Sequence, residues 1–276
     1  MLEWIKAGRC EFPPILLGTS PFFGFDQFGR KRSAIYGRTF GEVRKLANVI
    51  KAAIGEGVEG VHLVPQSIKD MPFWDGSVVP PIPEALEVAE EETGVKLALL
   101  PSILMPDIDI QAASKFDVRA FLNDGNEADN YMVSGPGETG KEELDFDLLL
   151  SRKNRVQKTG KEYGIATHCP ATTLPRLMPH KELWDAIKIV MVPVNKTGYR
   201  IRPKWDQNCE EAIKTARKSG KAIIAMKVMA SGRIPPREGI EYVSKKEYVD
   251  AIVLGVGSPQ EAKETFQIAH EIWQKR

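Results

Sequence analysis

The chain has 276 residues, of which 42% are hydrophobic, and a formal net charge of +1. That length suits one α/β barrel or at most two domains. The balanced charge gives no reason to expect nucleic acid or an anionic membrane as partner, and no apolar run approaches the ~18 residues of a membrane span. The opening MLEWIKAGRC lacks the apolar core and cleavage site of a signal peptide. Cys10, Cys169 and Cys209 are widely separated and read as reduced thiols, so the expectation is a soluble, cytoplasmic protein.

A first strand is expected at Pro14–Thr19, then a helix at Thr39–Glu56 with Thr39 as cap and Glu42 completing a capping box. The second strand falls at Gly60–Val64, a helix around Pro83–Thr93, the third strand at Lys96–Leu100 and the fourth at Val118–Leu122. A charged helix from about Glu142 to Tyr163 leads to the fifth strand, Ile165–His168. The sixth is Ile187–Val192, followed by a helix near Gln207–Ser219. The seventh and eighth, Ala222–Met229 and Ala251–Val256, are continuous apolar runs, as parallel strands covered on both faces should be. Ser258 reads as the N-cap of the closing helix and Pro259 as its first residue. Strand and helix signals alternate without a linker, which predicts a (β/α)8 TIM barrel forming a single domain over residues 1–276.

The connections after strands one, two, four and six (20–38, 65–82, 123–141 and 193–206) are long, while the turns entering strands are short. Barrel enzymes carry their sites on the face where the long connections lie. The first of these loops mixes glycines, phenylalanines and the basic run Arg30, Lys31, Arg32, and suits either a lid or a self-packed surface loop. Pro72-Phe73-Trp74-Asp75-Gly76 in the second admits the same two readings.

Lys227 lies within the seventh apolar run, where it either enters the barrel mouth or pairs with a neighbouring acid. A desolvated amine can form a Schiff base or stabilise an oxyanion. His168 ends the fifth strand and His62 sits on the second; each is an acid/base or metal-ligand candidate, or a satisfied core histidine. Asn123, Asp124, Asn126, Glu127 and Asp129 follow the fourth strand, but their spacing is not that of an EF-hand, and no metal is expected. Asp124, nearest the strand end, completes a catalytic set. Lys227 is the electrophilic or Schiff-base group, His168 moves a proton and Asp124 orients either. Backbone amides at Ser231 and Gly232 and at Gly257 and Ser258 should converge with the first turn of the last helix on an anionic group.

Lys227-Val228-Met229-Ala230-Ser231-Gly232 resembles the Lys-Pro-Leu-x-Gly-Gly segment that follows strand seven in many aldo-keto reductases. The stretch from Val253 to Glu261 is similar to that superfamily's Val-Val-x-Gly-x-Ser-x-Pro-Glu at strand eight, and Leu17-Gly18-Thr19 and Gly57-Val58-Glu59-Gly60 add to the likeness. The resemblance implies a nicotinamide cofactor, NADP or NAD. Gly18 and Thr19 would then join the Ser231, Gly232, Gly257 and Ser258 loops around it, with Lys263 and Glu264 flanking its adenosine. The catalytic tetrad has no counterpart: Val64-Pro65-Gln66-Ser67-Ile68 stands where the family has an Asp and a Tyr, Leu100-Pro101 where it has a Lys, and Asn123-Asp124 where it has a His.

Three readings follow. The first is an NAD(P)-linked oxidoreductase with a non-standard active site. The second is a lysine-dependent lyase, aldolase or isomerase acting on a small phosphorylated or carboxylated substrate. The third is a non-catalytic ligand-binding barrel. All three take a small molecule with an anionic group as partner, and a homo-oligomer is left open.

Overall fold

The computed structural model describes residues 2–70, 79–129, 144–202 and 207–276. The expectations for Pro72–Gly76, for 130–143 in the loop after the fourth strand and for 203–206 therefore lie outside the described residues.

A short antiparallel hairpin, β1 (Ile5–Ala7) and β2 (Cys10–Phe12), precedes the barrel. The barrel strands are β3 (Ile15–Gly18), β4 (Gly60–Leu63), β5 (Ala98–Ile103), the pair β6 (Asp117–Val118) and β7 (Ala120–Asn123), β8 (Glu162–Ala166), β9 (Ile187–Pro193), β10 (Ala222–Met226) and β11 (Ala251–Gly255). Both β6 and β7 pair with β5, so they form one strand position interrupted at Arg119. Every neighbouring pair is parallel, and β11 pairs back to β3, closing eight strands into a barrel. The helices are α1 (Arg30–Thr39), α2 (Val43–Gly55), α3 (Ile82–Thr93), α4 (Pro106–Ala113), α5 (Gly125–Ala128), α6 (Phe146–Gln157), α7 (Pro170–Leu177), α8 (Lys181–Ala186), α9 (Gln207–Lys218), α10 (Pro236–Ser244) and α11 (Pro259–Trp273). Among the described residues no helix is long and apolar enough to cross a membrane.

Because successive residues in a strand face opposite sides, each barrel strand splits its apolar run between two cores. Leu16, Leu100, Ala120, Leu122, Ala166, Ile189, Met191, Ile224, Met226 and Val253 form the inner cluster, and Ala7 and Phe12 of the hairpin join it. The hairpin thus closes the bottom of the barrel, leaving the opposite end, where the strands finish, as the open mouth. The residues between them, such as Leu17, Val61, Leu99, Phe121, Ile165, Val190, Ile223 and Ile252, pack outward against the helices.

Three boundaries differ from the sequence reading. The expected Thr39–Glu56 helix is two: Thr39 ends α1, and Glu42 caps α2 with no side-chain bond, so no capping box forms. Tyr163 belongs to β8, whose strand ends at Ala166, so His168 stands just beyond it. Strand β10 ends at Met226, which puts Lys227 outside the ladder. Ser258 does cap α11, its Oγ accepting from Glu261 N at 3.1 Å.

Candidate active site

Strict alternation would aim Lys227 at the helices, alongside Ile223 and Ala225. Instead its φ of 59° takes it out of the pleat, and its amine turns into the mouth. Left-handed conformations are costly for a side chain with a Cβ, roughly 1–3 kcal/mol each. Here Ala230 (φ 47°) and Ser231 (φ 57°) share that cost, with Gly232 at 83°. The turn is held by Ala230 N donating to Lys227 O at 2.7 Å and by the Gly232, Arg233 and Ile234 amides donating to Met229 O. The strained turn thus lies directly beside a half-buried amine.

Among the described residues nothing acidic is bonded to that amine. Lys227 Nζ donates to Gln27 Oε1 at 2.7 Å. Burial, and then the nearby Arg200 cation, lower its pKa from 10.5 to about 8, against the opposing pull of Asp124. On the mouth floor His62 is buried, its Nε2 3.0 Å from Ser102 Oγ. Burial first, and the Lys227 charge second, lower the His62 pKa to about 4, so the ring is neutral at ordinary pH. Among the residues proposed from sequence, His62 and Lys227 share one cavity.

Asp124 caps the short α5, its Oδ1 accepting from Asn126 N (2.9 Å) and Asn126 Nδ2 (3.1 Å). Burial raises its pKa, opposed by the Asn126 amide and by His168. The His168 ring lies over Gly125, where an added Cβ would come within 2.9 Å of Nδ1. Asp129 anchors the loop beneath it. Its carboxylate accepts from His168 N (2.7 Å), Thr173 Oγ1 (2.7 Å) and Thr167 Oγ1, and lies 3.6 Å from His168 Nδ1. Asp124 is thus an electrostatic neighbour of both Lys227 and His168. The pair Asp124–His168 does not line the cavity that Lys227 enters. Among the described residues, no group of three or more metal-type side chains converges.

The cavity is about 440 Å³ and runs from His62 and Met191 on the barrel floor to Glu261, Glu264 and Thr265 on α11. Gly18, Ser231, Gly232 and Glu264 line it, whereas Thr19, Gly257, Ser258 and Lys263 do not. Thr19 is fully buried and latches two strand ends, donating to His62 O and accepting from Val64 N at 2.9 Å. Lys263 is exposed on α11. Two of the amides expected to cradle an anion are already engaged: Gly232 N donates to Met229 O and Gly257 N to Glu261 Oε2 at 2.8 Å.

Sequence reasoning missed the residues that roof the cavity. Gln27 and Tyr36 come from the first long loop. The Gln27 carbonyl accepts from Arg233 Nη1 (3.0 Å) and Tyr199 OH (3.2 Å), and Arg233 stacks on Tyr199 at 4.3 Å. The Tyr36 ring covers Gly257 so closely that any Cβ there would collide with it. The loop's glycines and aromatics signalled a lid; nothing in the sequence signalled Gln27.

The mouth of this closed parallel barrel holds a partly open cavity that a half-buried lysine enters. Solved structures with a similar fold include aldo-keto reductases. An aldo-keto reductase from Bombyx mori in complex with NADP matches 99% of this chain and 92% of its own, at 12% identity and TM-score 0.61. The glycerol dehydrogenase of Gluconobacter oxydans matches 96% and 89%, at 10% identity and TM-score 0.60. An N-acetylneuraminic acid synthetase from Leptospira borgpetersenii in complex with citrate also matches, covering 99% and 90% at 10% identity and TM-score 0.55. No protein-family model matches the chain, and no curated protein matches it. At these identities the likeness is one of fold: an aldo-keto-reductase-like (β/α)8 barrel, a scaffold that hosts other chemistries too.

Proposed function

We propose that this protein is a cytoplasmic NAD(P)-linked oxidoreductase that acts on a carbonyl through Lys227 rather than through the usual tetrad. The observation that carries this reading is the bond from Lys227 Nζ to Gln27 Oε1 at 2.7 Å. An amide carbonyl oxygen already sits where a substrate carbonyl would have to be polarised. With a pKa of about 8, the amine is protonated by about ten to one at pH 7, yet acidic enough to give its proton up. Half-buried in the mouth, it would stabilise a developing alkoxide better than a solvated lysine could.

The cavity suits a dinucleotide. Its floor end is apolar, with Met191, Met226 and Val253 available for a flat ring beside Lys227. Its far end offers the Tyr36 phenol and the acidic first turns of α11. Gly18, Ser231, Gly232 and Glu264 would hold the cofactor along its length. The chemistry such a cofactor would supply is hydride donation, and Lys227 would give the proton to the substrate oxygen. Neutral His62 cannot compete as a cation, which leaves Lys227 as the charge at the floor.

The same amine supports a second reading, Schiff-base chemistry without a nicotinamide. Nicotinamide absorbance during incubation with a panel of aldehydes and ketones separates the two. The oxidoreductase reading expects cofactor oxidation by the wild type and none by Lys227→Met. Absence of cofactor oxidation, together with borohydride trapping of a substrate on Lys227, would replace it with the Schiff-base reading.

A further inference from the structure

The bond between Gln27 and Lys227 ends a chain of contacts that runs through three loops of the mouth. It starts at Asn195, buried just beyond β9. Asn195 Oδ1 accepts from Thr197 N (3.2 Å) and Tyr199 N (2.8 Å), and its Nδ2 donates to Tyr199 O at 3.0 Å. The turn so fixed presents Tyr199, whose hydroxyl donates to Gln27 O at 3.2 Å and whose ring carries Arg233 at 4.3 Å. Arg233 Nη1, from the turn after β10, donates to the same Gln27 carbonyl at 3.0 Å. The Gln27 backbone is thus gripped from two loops, while its buried side chain caps the Lys227 amine.

Gln27 sits in the single turn Asp26–Phe28, between two glycines with left-handed backbone, Gly24 (φ 63°) and Gly29 (φ 83°). A Cβ on Gly29 would meet nothing within 4 Å, so it is the backbone conformation and not packing that asks for glycine there. The turn between these two points can swing without disturbing β3 or α1, as hinged segments do. A side-chain amide oxygen is also the chemical analogue of a substrate carbonyl, an sp² oxygen that accepts from the ammonium. Tethered to the same chain, it competes at an effective concentration of roughly millimolar. A substrate carbonyl reaches the amine only after Gln27 has left it.

We propose that Gln27 is an internal stop that occupies Lys227 in the resting protein, and that Tyr199, through its hydroxyl on Gln27 O, is a positioning residue that sets how often the stop lifts. The device rests on Lys227 as the group that meets a carbonyl, which hydride transfer and Schiff-base chemistry both require. Substrate engages only the lifted state, so its apparent affinity is reduced by the fraction of protein in that state. Removing the stop therefore lowers KM.

The test is trace acetylation of the whole protein with acetic anhydride, read at Lys227 by peptide mass spectrometry against the exposed Lys158 and Lys218. At pH 10, well above the amine's pKa of about 8, the rate reports access to the amine rather than its charge. Wild type is compared with Gln27→Ala, Tyr199→Phe and Gln27→Glu, each verified as folded by circular dichroism. Gln27→Ala should label Lys227 about fivefold faster than wild type, the worth of one neutral hydrogen bond. Tyr199→Phe leaves the Gln27–Lys227 pair itself intact and should still speed labelling by about twofold or more through the loosened grip. Gln27→Glu, whose carboxylate can pair with the amine, should slow it. Labelling unchanged in Gln27→Ala or in Tyr199→Phe, or faster in Gln27→Glu, overturns the stop, whether or not the protein oxidises a nicotinamide. An active Gln27→Ala whose KM for a carbonyl does not fall overturns it as well. Should labelling respond as expected while no protein oxidises the cofactor or traps a substrate, the carbonyl chemistry fails and the hold of Gln27 on Lys227 survives.

Discussion

Replacing Lys227 by methionine should make the protein more stable and inactive at once. A lysine held at about 8 instead of 10.5 disfavours folding while it is charged, by about 3 kcal/mol at 1.36 kcal/mol per pH unit. Methionine escapes that cost but forfeits the bond to Gln27, worth about 1 kcal/mol. A net gain of about 2 kcal/mol at pH 7 corresponds to a rise of about 3 °C in Tm for a chain of this length. The sign with pH follows from proton counting. Below pH 8 the lysine is charged in both states and the penalty is complete. Between about 8 and 10.5 the unfolded chain binds the proton and the folded one does not, so wild-type stability rises with pH. The gap between variant and wild type should therefore be widest near pH 7 and close toward pH 10. Chemical denaturation of both proteins across that range measures it. A variant less stable than wild type at pH 7, or a gap that does not change with pH, would refute a desolvated amine held by Gln27 alone.

His62, held at about 4, binds its proton more weakly folded than unfolded, so wild-type stability should fall as pH drops from about 6.5 to 4. His62→Gln should flatten that slope, read by urea denaturation at stepped pH. Gly257→Ala forces a methyl into the Tyr36 ring and should cost about 1–3 kcal/mol in thermal unfolding while loosening the cavity roof. Asp129→Asn leaves the donors from Thr167, Thr173 and His168 short of acceptors, and should cost about 3 kcal/mol by denaturant titration.

The strand cores were legible because both faces of a parallel barrel are buried, which leaves unbroken apolar runs such as Ala222–Met226 and Ala251–Gly255. Helix α1 was not. RKRSAIYGRT shows no apolar face, and it is held by aromatic contacts of Tyr36 and Phe40 with Phe28 and Phe22 rather than by periodicity. The β1–β2 hairpin is too short to register, though Ile5 and Ala7 opposite Phe12 and Cys10 show its pairing once the register is known. Lys227 was legible as an anomaly in an apolar run, but not in its orientation, which depends on a left-handed turn that alternation cannot foresee. The loop glycines were read as free amide donors. In the structure Gly257 donates to Glu261 and Gly232 to Met229, so neither amide is free.

The most direct measurement of the central claim is a crystal structure of the protein grown with reduced nicotinamide cofactor. The account predicts electron density along the cavity from the barrel floor to α11, with the nicotinamide ring packed on Met191, Met226 and Val253 and Lys227 released from Gln27. A cofactor bound elsewhere, or a saturating soak that leaves Lys227 on Gln27 and the cavity empty, would contradict it.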